Sequence, residues 1–307
     1  MLTIKKRILG YRNIIWLMFA LTTCVAGLNG CDAETISPEG QSDSKECVDH
    51  LDNDLDYAVD CSDTDCAGTA ICQGDTSAVL ISAQQLNAGT ISAGADGVLQ
   101  IWTVGDSLTR GVDNGYRNQI WTTLKGNGYL VDFVGSAVHS TADTEVCPDA
   151  DHDGHPQKKI GFIDEHITDW YSSIAEPDVI LLMAGTNDLA WIVPNRTASL
   201  AAARRMLQLV EKTLALNSRS ILIVSTIPPI SDAKISEPEI ERGILFVEYN
   251  EMLKRLVSMH AEFGNRLWLA DVFSSVTVND LTDGVHPSRT AYDKVGNAWL
   301  EVMLPLL

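Results

Sequence analysis

From residue 98 onward, apolar runs of four to six residues recur at intervals: Leu99–Val104, Leu130–Val134, Val179–Met183, Ile221–Thr226 and Leu267–Ala270. They are rich in Val, Ile and Leu and show little of the in–out alternation of a half-exposed strand, which predicts short strands buried on both faces. Between them, near 116–126, 163–174, 197–217, 239–261 and 288–303, apolar residues return at helical spacing. Strand–helix alternation of this kind predicts an α/β fold with right-handed crossovers and a mainly parallel sheet covered on both faces. In such sheets a ligand site lies beyond the carboxyl ends of the strands.

The N-terminal stretch follows other patterns. Lys5, Lys6, Arg7 and Arg12 precede a fifteen-residue apolar run, Ile14 to Leu28, against the roughly 20 residues that span a bilayer. Residues 1–30 therefore read as an export signal. The run ends in "LNGC", which resembles the lipobox of bacterial lipoproteins. That resemblance implies lipid attachment at Cys31 and a protein of the bacterial envelope, periplasmic or cell-surface, or secreted if Cys31 is not lipidated. Residues 31–46 form an acidic spacer, and 73–97, small and polar with four glycines, are composed like a linker.

Between them, residues 47–72 hold Cys47, Cys61, Cys66 and Cys72 in an acidic stretch with almost no apolar residues to bury. In an exported protein that composition predicts two disulfides, in any of three pairings. Asp52, Asp54, Asp56, Asp60 and Asp63 fall at places 1, 3, 5, 9 and 12 of an EF-hand-like count, with Tyr57 where such loops carry Gly. The run resembles the DNDxD cysteine-rich metal-binding motifs of bacterial surface proteins, which implies a structural Ca²⁺; a solvated acidic spacer is the alternative.

Charge sharpens this division. Of the formal net charge of −19, residues 32–75 carry −12, from thirteen carboxylates and one lysine. A chain this acidic repels phosphate backbones, which excludes nucleic acid as a partner.

Chemistry concentrates after the strands. "GDSLTRG" (105–111) places Ser107 just past the first strand, and "DGVHPS" (283–288) places His286 three residues after Asp283, where a carboxylate can orient an imidazole. A serine hydroxyl needs such a base to become a nucleophile. Gly135, past the second strand, offers a backbone amide, and Asn187 in "GTND", past the third, a side-chain amide; both suit a developing oxyanion.

The four ordered blocks, "GDSLTRG", Gly135 in "DFVGS", "GTND" and "DGVHPS", resemble the SGNH (GDSL) hydrolase superfamily over 98–307. The resemblance implies a three-layer α/β/α sandwich around a five-stranded, mainly parallel sheet, and ester hydrolysis through an acyl-serine. It makes Ser107 the nucleophile, His286 the base and Asp283 its orienter, with the Ser107 and Gly135 amides and the Asn187 side chain as oxyanion hole. No cofactor is implied for the chemistry. "GYRNQIWTTLKGNGYLVDFVGS", "DHDGH" and "EPDVILLMAGTND" are similar to the acetylxylan-esterase branch, which implies an acylated carbohydrate as substrate and Asp106, Arg117, His152 and His155 as neighbours of the cleft.

Three alternatives stay open. A lipid or thioester hydrolase (lysophospholipase-like) of the same superfamily would share the triad. A non-catalytic Ca²⁺-binding envelope lipoprotein would not need Ser107. The "CPDADHDGH" loop, with two histidines and three aspartates in nine residues, could instead offer a zinc site. Cys147 is the odd cysteine once Cys31 and the four of the module are set aside.

Overall fold

A computed structural model describes residues 90–138, 146–191, 197–231, 242–259 and 266–307. The export signal, Cys31, the Cys47–Cys72 module with its aspartates, and the first part of the linker lie outside these residues.

Five parallel strands form the centre of the sheet, in the order β2 (Leu130–Val134), β1 (Val98–Gly105), β5 (Val179–Met183), β6 (Ile221–Ser225) and β7 (Leu267–Ala270). Every residue of β5 and β6 is buried, as their unbroken apolar runs require. Two strands that the apolar pattern does not announce make the sheet a mixed one of seven. β4 (Asp151–Gly154) pairs parallel with the last residues of β1, and β3 (Ala137–Val138) pairs antiparallel with β4.

The helices fall into two groups. α3 (Ile160–Ser173), α5 (Thr197–Leu216) and α6 (Arg242–Met259) pack in sequence against one another, whereas α2 (Arg117–Gly126) packs with α8 (Arg289–Met303). Aromatic pairs belong to each group: Trp102 of β1 meets Tyr171 of α3, and Tyr116, at the start of α2, meets Trp299 of α8. α3 begins at Ile160, earlier than its apolar spacing predicts. The carboxylate of Asp188, in the short helix α4 (Thr186–Leu189), accepts from the Ile160 amide at 3.0 Å and so caps it from another part of the chain.

Strand order explains where a site can form. From β1 the chain moves outward to β2, and later returns to add β5 on the other side of β1. The order therefore reverses between β1 and β5, and at such a switch the loops leaving adjacent strands part and open a crevice. Ser107 follows β1 and Asn187 follows β5.

The domain also reaches back beyond Val98, into residues expected as linker. Ile91 is buried, and its amide donates to Leu306 O at 2.7 Å, in a final 3₁₀ turn (Leu304–Leu306).

Candidate active site

Past β1 the chain turns at Gly105, where a side chain would collide with the Met183 carbonyl and the Thr109 hydroxyl. Asp106 then caps the single-turn helix α1 (Ser107–Arg110), its Oδ1 accepting from the Leu108 amide at 2.9 Å. Ser107 is thus held at the first position of a short rigid turn at the carboxyl edge of the sheet.

His286 arrives on a closed loop. Leu281 bridges Pro287, the Thr282 amide donates to His286 O at 2.9 Å, and the Ser231 amide donates to Gly284 O at 2.8 Å. Within it, Asp283 Oδ1 accepts from the amides of His286 (2.8 Å) and Val285 (3.0 Å), while Oδ2 lies 2.7 Å from His286 Nδ1. His286 Nε2 lies 2.9 Å from Ser107 Oγ. Partial burial works to raise the Asp283 carboxyl. The backbone amide and ring of His286, with the Val285 amide, outweigh it and hold the group at about 2. An ionised carboxylate on Nδ1 fixes the proton there and leaves Nε2 free to accept from the serine.

Two further elements supply donors. Gly135, at the end of β2, lies so close to the His152 backbone that any Cβ would collide with it, so only glycine lets β4 approach. The Asn187 side chain is almost fully buried, and its Nδ2 donates to Lys158 O at 3.0 Å and to Asp106 Oδ2 at 3.3 Å. Its orientation depends on Gly185, whose φ of +123° suits glycine and where a Cβ would lie 2.7 Å from the Tyr249 ring.

Burial pushes the Asp106 carboxyl up to about 7, aided by the nearby Asp188 and opposed by the Leu108 amide. Asp188 is itself raised, by burial first, against the Ile160 amide and the Arg205 guanidinium 3.5 Å away.

The expected cleft neighbours sit differently. Asp106 is fully buried beneath the site, joined to it through Asn187. Arg117 is also fully buried; its guanidinium donates to Thr109 O (2.5 Å) and Arg110 O (3.4 Å), tying down the end of α1 instead of facing the cleft. His152 is buried in β4, its Nδ1 accepting from the Gly154 amide. His155 stacks on Trp170 at 4.1 Å and approaches Asp153 Oδ1 at 3.2 Å, while its backbone amide donates to Gly105 O at 2.9 Å. These polar groups brace the walls because a loop folded this tightly leaves backbone and indole donors to satisfy.

The same holds for the acidic loop. Asp153 takes the Trp102 indole (2.6 Å) and both the amide and hydroxyl of Ser136, and Asp149 takes the amides of Phe133 (2.5 Å) and Asp151 (3.2 Å). Among the described residues no group of three or more His, Cys, Asp and Glu side chains is arranged to hold a metal ion. Cys147 is a buried free thiol, its Sγ 3.1 Å from Asp149 O, and burial raises it to about 11.

Ser107, Asn187, Asp283 and His286 line a cavity of about 680 Å³. Its walls include Arg110, Val112, Gln157, Trp191 and Tyr292, none singled out by the motifs. Trp191 lies in the turn that follows the short helix α4, where no apolar period marks it in the sequence. Val112 and Gln157 belong to loops and carry no such signal.

Comparison with known proteins agrees with this geometry. A multidomain esterase of Ruminococcus flavefaciens is 28% identical over 228 residues, covering 67% of this chain; the chain spans only 28% of that protein's length. The family 3 carbohydrate esterase of Clostridium thermocellum superposes with a TM-score of 0.55 at 26% identity, over 68% of this chain and 97% of that one. A family 3 carbohydrate esterase from Talaromyces cellulolyticus shares the fold, with a TM-score of 0.57 at 22% identity and the same coverage. The family model of the GDSL-like lipase/acylhydrolases matches residues 101–299, a span that holds Ser107, Gly135, Asn187, Asp283 and His286, and the chain belongs to that family.

Proposed function

We propose that the protein is a serine esterase that removes small acyl groups, foremost acetyl, from polysaccharide. The observation that carries the chemistry is the continuous relay from Ser107 Oγ through His286 to Asp283, opening on one cavity. In this reading Ser107 Oγ attacks the ester carbonyl carbon as its proton passes to His286 Nε2. The oxyanion that forms takes hydrogen bonds from the Ser107 and Gly135 amides and from Asn187 Nδ2. Collapse expels the sugar alcohol, which takes the proton from Nε2. Water then repeats the sequence on the acyl-serine and frees the acid.

The Asn187 amide has only two hydrogens, and Lys158 O and Asp106 Oδ2 engage both. The oxyanion therefore competes for the hydrogen on the longer contact, to Asp106. The carbohydrate substrate is supported by the Clostridium relative, a family 3 carbohydrate esterase, and by a cavity much larger than an acetyl group fills.

Acetate release from acetylated xylan by the full chain, with p-nitrophenyl acetate and octanoate alongside, tests this reading. We expect release from the polymer that vanishes in Ser107→Ala. Activity on octanoate alone would assign the protein to lipid substrates, and equal activity of the two proteins would reject Ser107. From sequence alone we further propose export with lipid attachment at Cys31 and Ca²⁺ binding by the Asp52–Asp63 aspartates. Labelled palmitate entering the protein but not Cys31→Ser, and calorimetric titration of the full chain with Ca²⁺, test these two.

A further inference from the structure

Trp191 ends the turn that begins at Asn187, and its indole Nε1 donates to Asn187 Oδ1 at 3.1 Å. An indole N–H can only donate, so the amide oxygen belongs on that side. The NH₂ group is thereby turned toward the Lys158 carbonyl and the Asp106 carboxylate, both acceptors. A side-chain amide keeps its shape when rotated by half a turn, and the rotated form would present an oxygen to a developing oxyanion. At 4% exposure Asn187 has little water to decide between the two, so its neighbours decide.

Much of the remaining Trp191 surface is uncovered. The residue is 59% exposed while lining the same cavity as Ser107 and His286. A bare indole beside a nucleophile is unusual unless something flat and partly apolar lies on it. A pyranose ring fits that description: its C–H faces are apolar and its rim carries hydroxyls. Arg110, Gln157 and Thr282 offer polar partners to such a rim around the same cavity.

We propose that Trp191 is both the platform on which the sugar ring of an acylated glycan stacks and the positioning residue that keeps the Asn187 amide turned toward the reacting carbonyl. The proposal rests on the esterase reading above. It joins specificity to catalysis through one side chain: a sugar seated on the indole also steadies the hydrogen bond that orients the amide. Acyl groups on a sugar are then cleaved with a higher kcat than the same acyl group on a leaving group that cannot stack.

Two variants separate the two tasks. Trp191→Phe keeps a ring but loses the N–H, and Trp191→Ala loses both. With vinyl acetate, whose leaving group carries no ring to stack, both variants are expected to lose kcat by about tenfold, the equivalent of one hydrogen bond of ordinary strength. With an acetylated xylo-oligosaccharide, Trp191→Phe keeps KM within about twofold and Trp191→Ala raises it about tenfold, a stacking contact of similar worth. A residue with a merely structural role would shift the parameters of both substrates in parallel. An unchanged kcat in Trp191→Phe overturns the positioning role. Wild-type release of acetate from the oligosaccharide, with KM unchanged in Trp191→Ala, overturns the platform alone. Cleavage of vinyl acetate by the wild type without release from the oligosaccharide overturns the carbohydrate reading, and the platform with it.

Discussion

At the scale of single residues, Asp106 and Asp283 show how one site holds two carboxylates at opposite ends of their range. Asp283, with two amides and an imidazole on its oxygens, sits at about 2 and stays ionised across the working range. Protonation of Asp283 is therefore not a source of activity loss in mild acid. Asp283→Asn removes the charge that stabilises the imidazolium. It is expected to lower kcat by roughly 10²–10⁴-fold, while unfolding in urea shifts little because the wild-type carboxylate is half exposed. Asp106 is raised from 3.8 to about 7 by burial. A folded state with the higher pKa binds the proton more tightly than the unfolded chain, so this group's contribution is fully present below about 4 and is lost as pH climbs to about 7. The loss amounts to roughly 2–4 kcal/mol. Asp106→Asn keeps an oxygen for the Leu108 amide and cannot ionise. Unfolding free energies measured from pH 5 to 8 should accordingly be flatter in the variant than in the wild type, and an unchanged slope would refute the assignment.

Among the elements, β4 is the one that organises the site from behind. Asp153 joins it to β1 through the Trp102 indole and to the loop after β2 through Ser136. Asp153→Asn replaces one acceptor oxygen by a donor among donors, and a loss of roughly 2–4 kcal/mol is expected by urea denaturation. Gly135→Ala drives a methyl into the His152 backbone. Because the displaced strand end also carries the amide proposed for the oxyanion hole, kcat on p-nitrophenyl acetate should fall at least tenfold at near-constant KM.

β4 also marks the limit of what the sequence conveys. The five parallel strands and five long helices are legible because burial on both faces writes the unbroken apolar runs of β5 and β6, β1, β2 and β7 stay mainly apolar though partly exposed, and one-sided burial writes a helical period. "DHDG" writes neither: its pairing rests on backbone hydrogen bonds and on donors supplied from distant Trp102 and Ser136. For the same reason Arg117 looks like a ligand-facing cation in "GYR", although its three acceptors are gathered only when α1 folds over it. The Ser107, Asn187 and Asp283–His286 blocks are legible because each carries its own local geometry, a turn, a glycine or a three-residue spacing.

Over the whole molecule, buried carboxylates give stability a common trend with pH. Asp149, raised to about 6 by burial, and the likewise raised Asp178 and Asp188 add to the trend of Asp106, each weakening the fold as pH climbs through its own transition. The thermal midpoint should therefore fall as pH climbs from about 5 toward 8, and a midpoint that rises over that range in melting profiles would refute the trend. The contact between Ile91 and Leu306 has a consequence of another kind. Ile91 and Leu306 stitch the two ends of the described α/β unit together ahead of β1, while Ser107 stands past the carboxyl end of that strand. A unit closed in this way is a cassette: it can be spliced into a longer polypeptide through neighbouring attachment points, or permuted by joining them, without bending its own sheet.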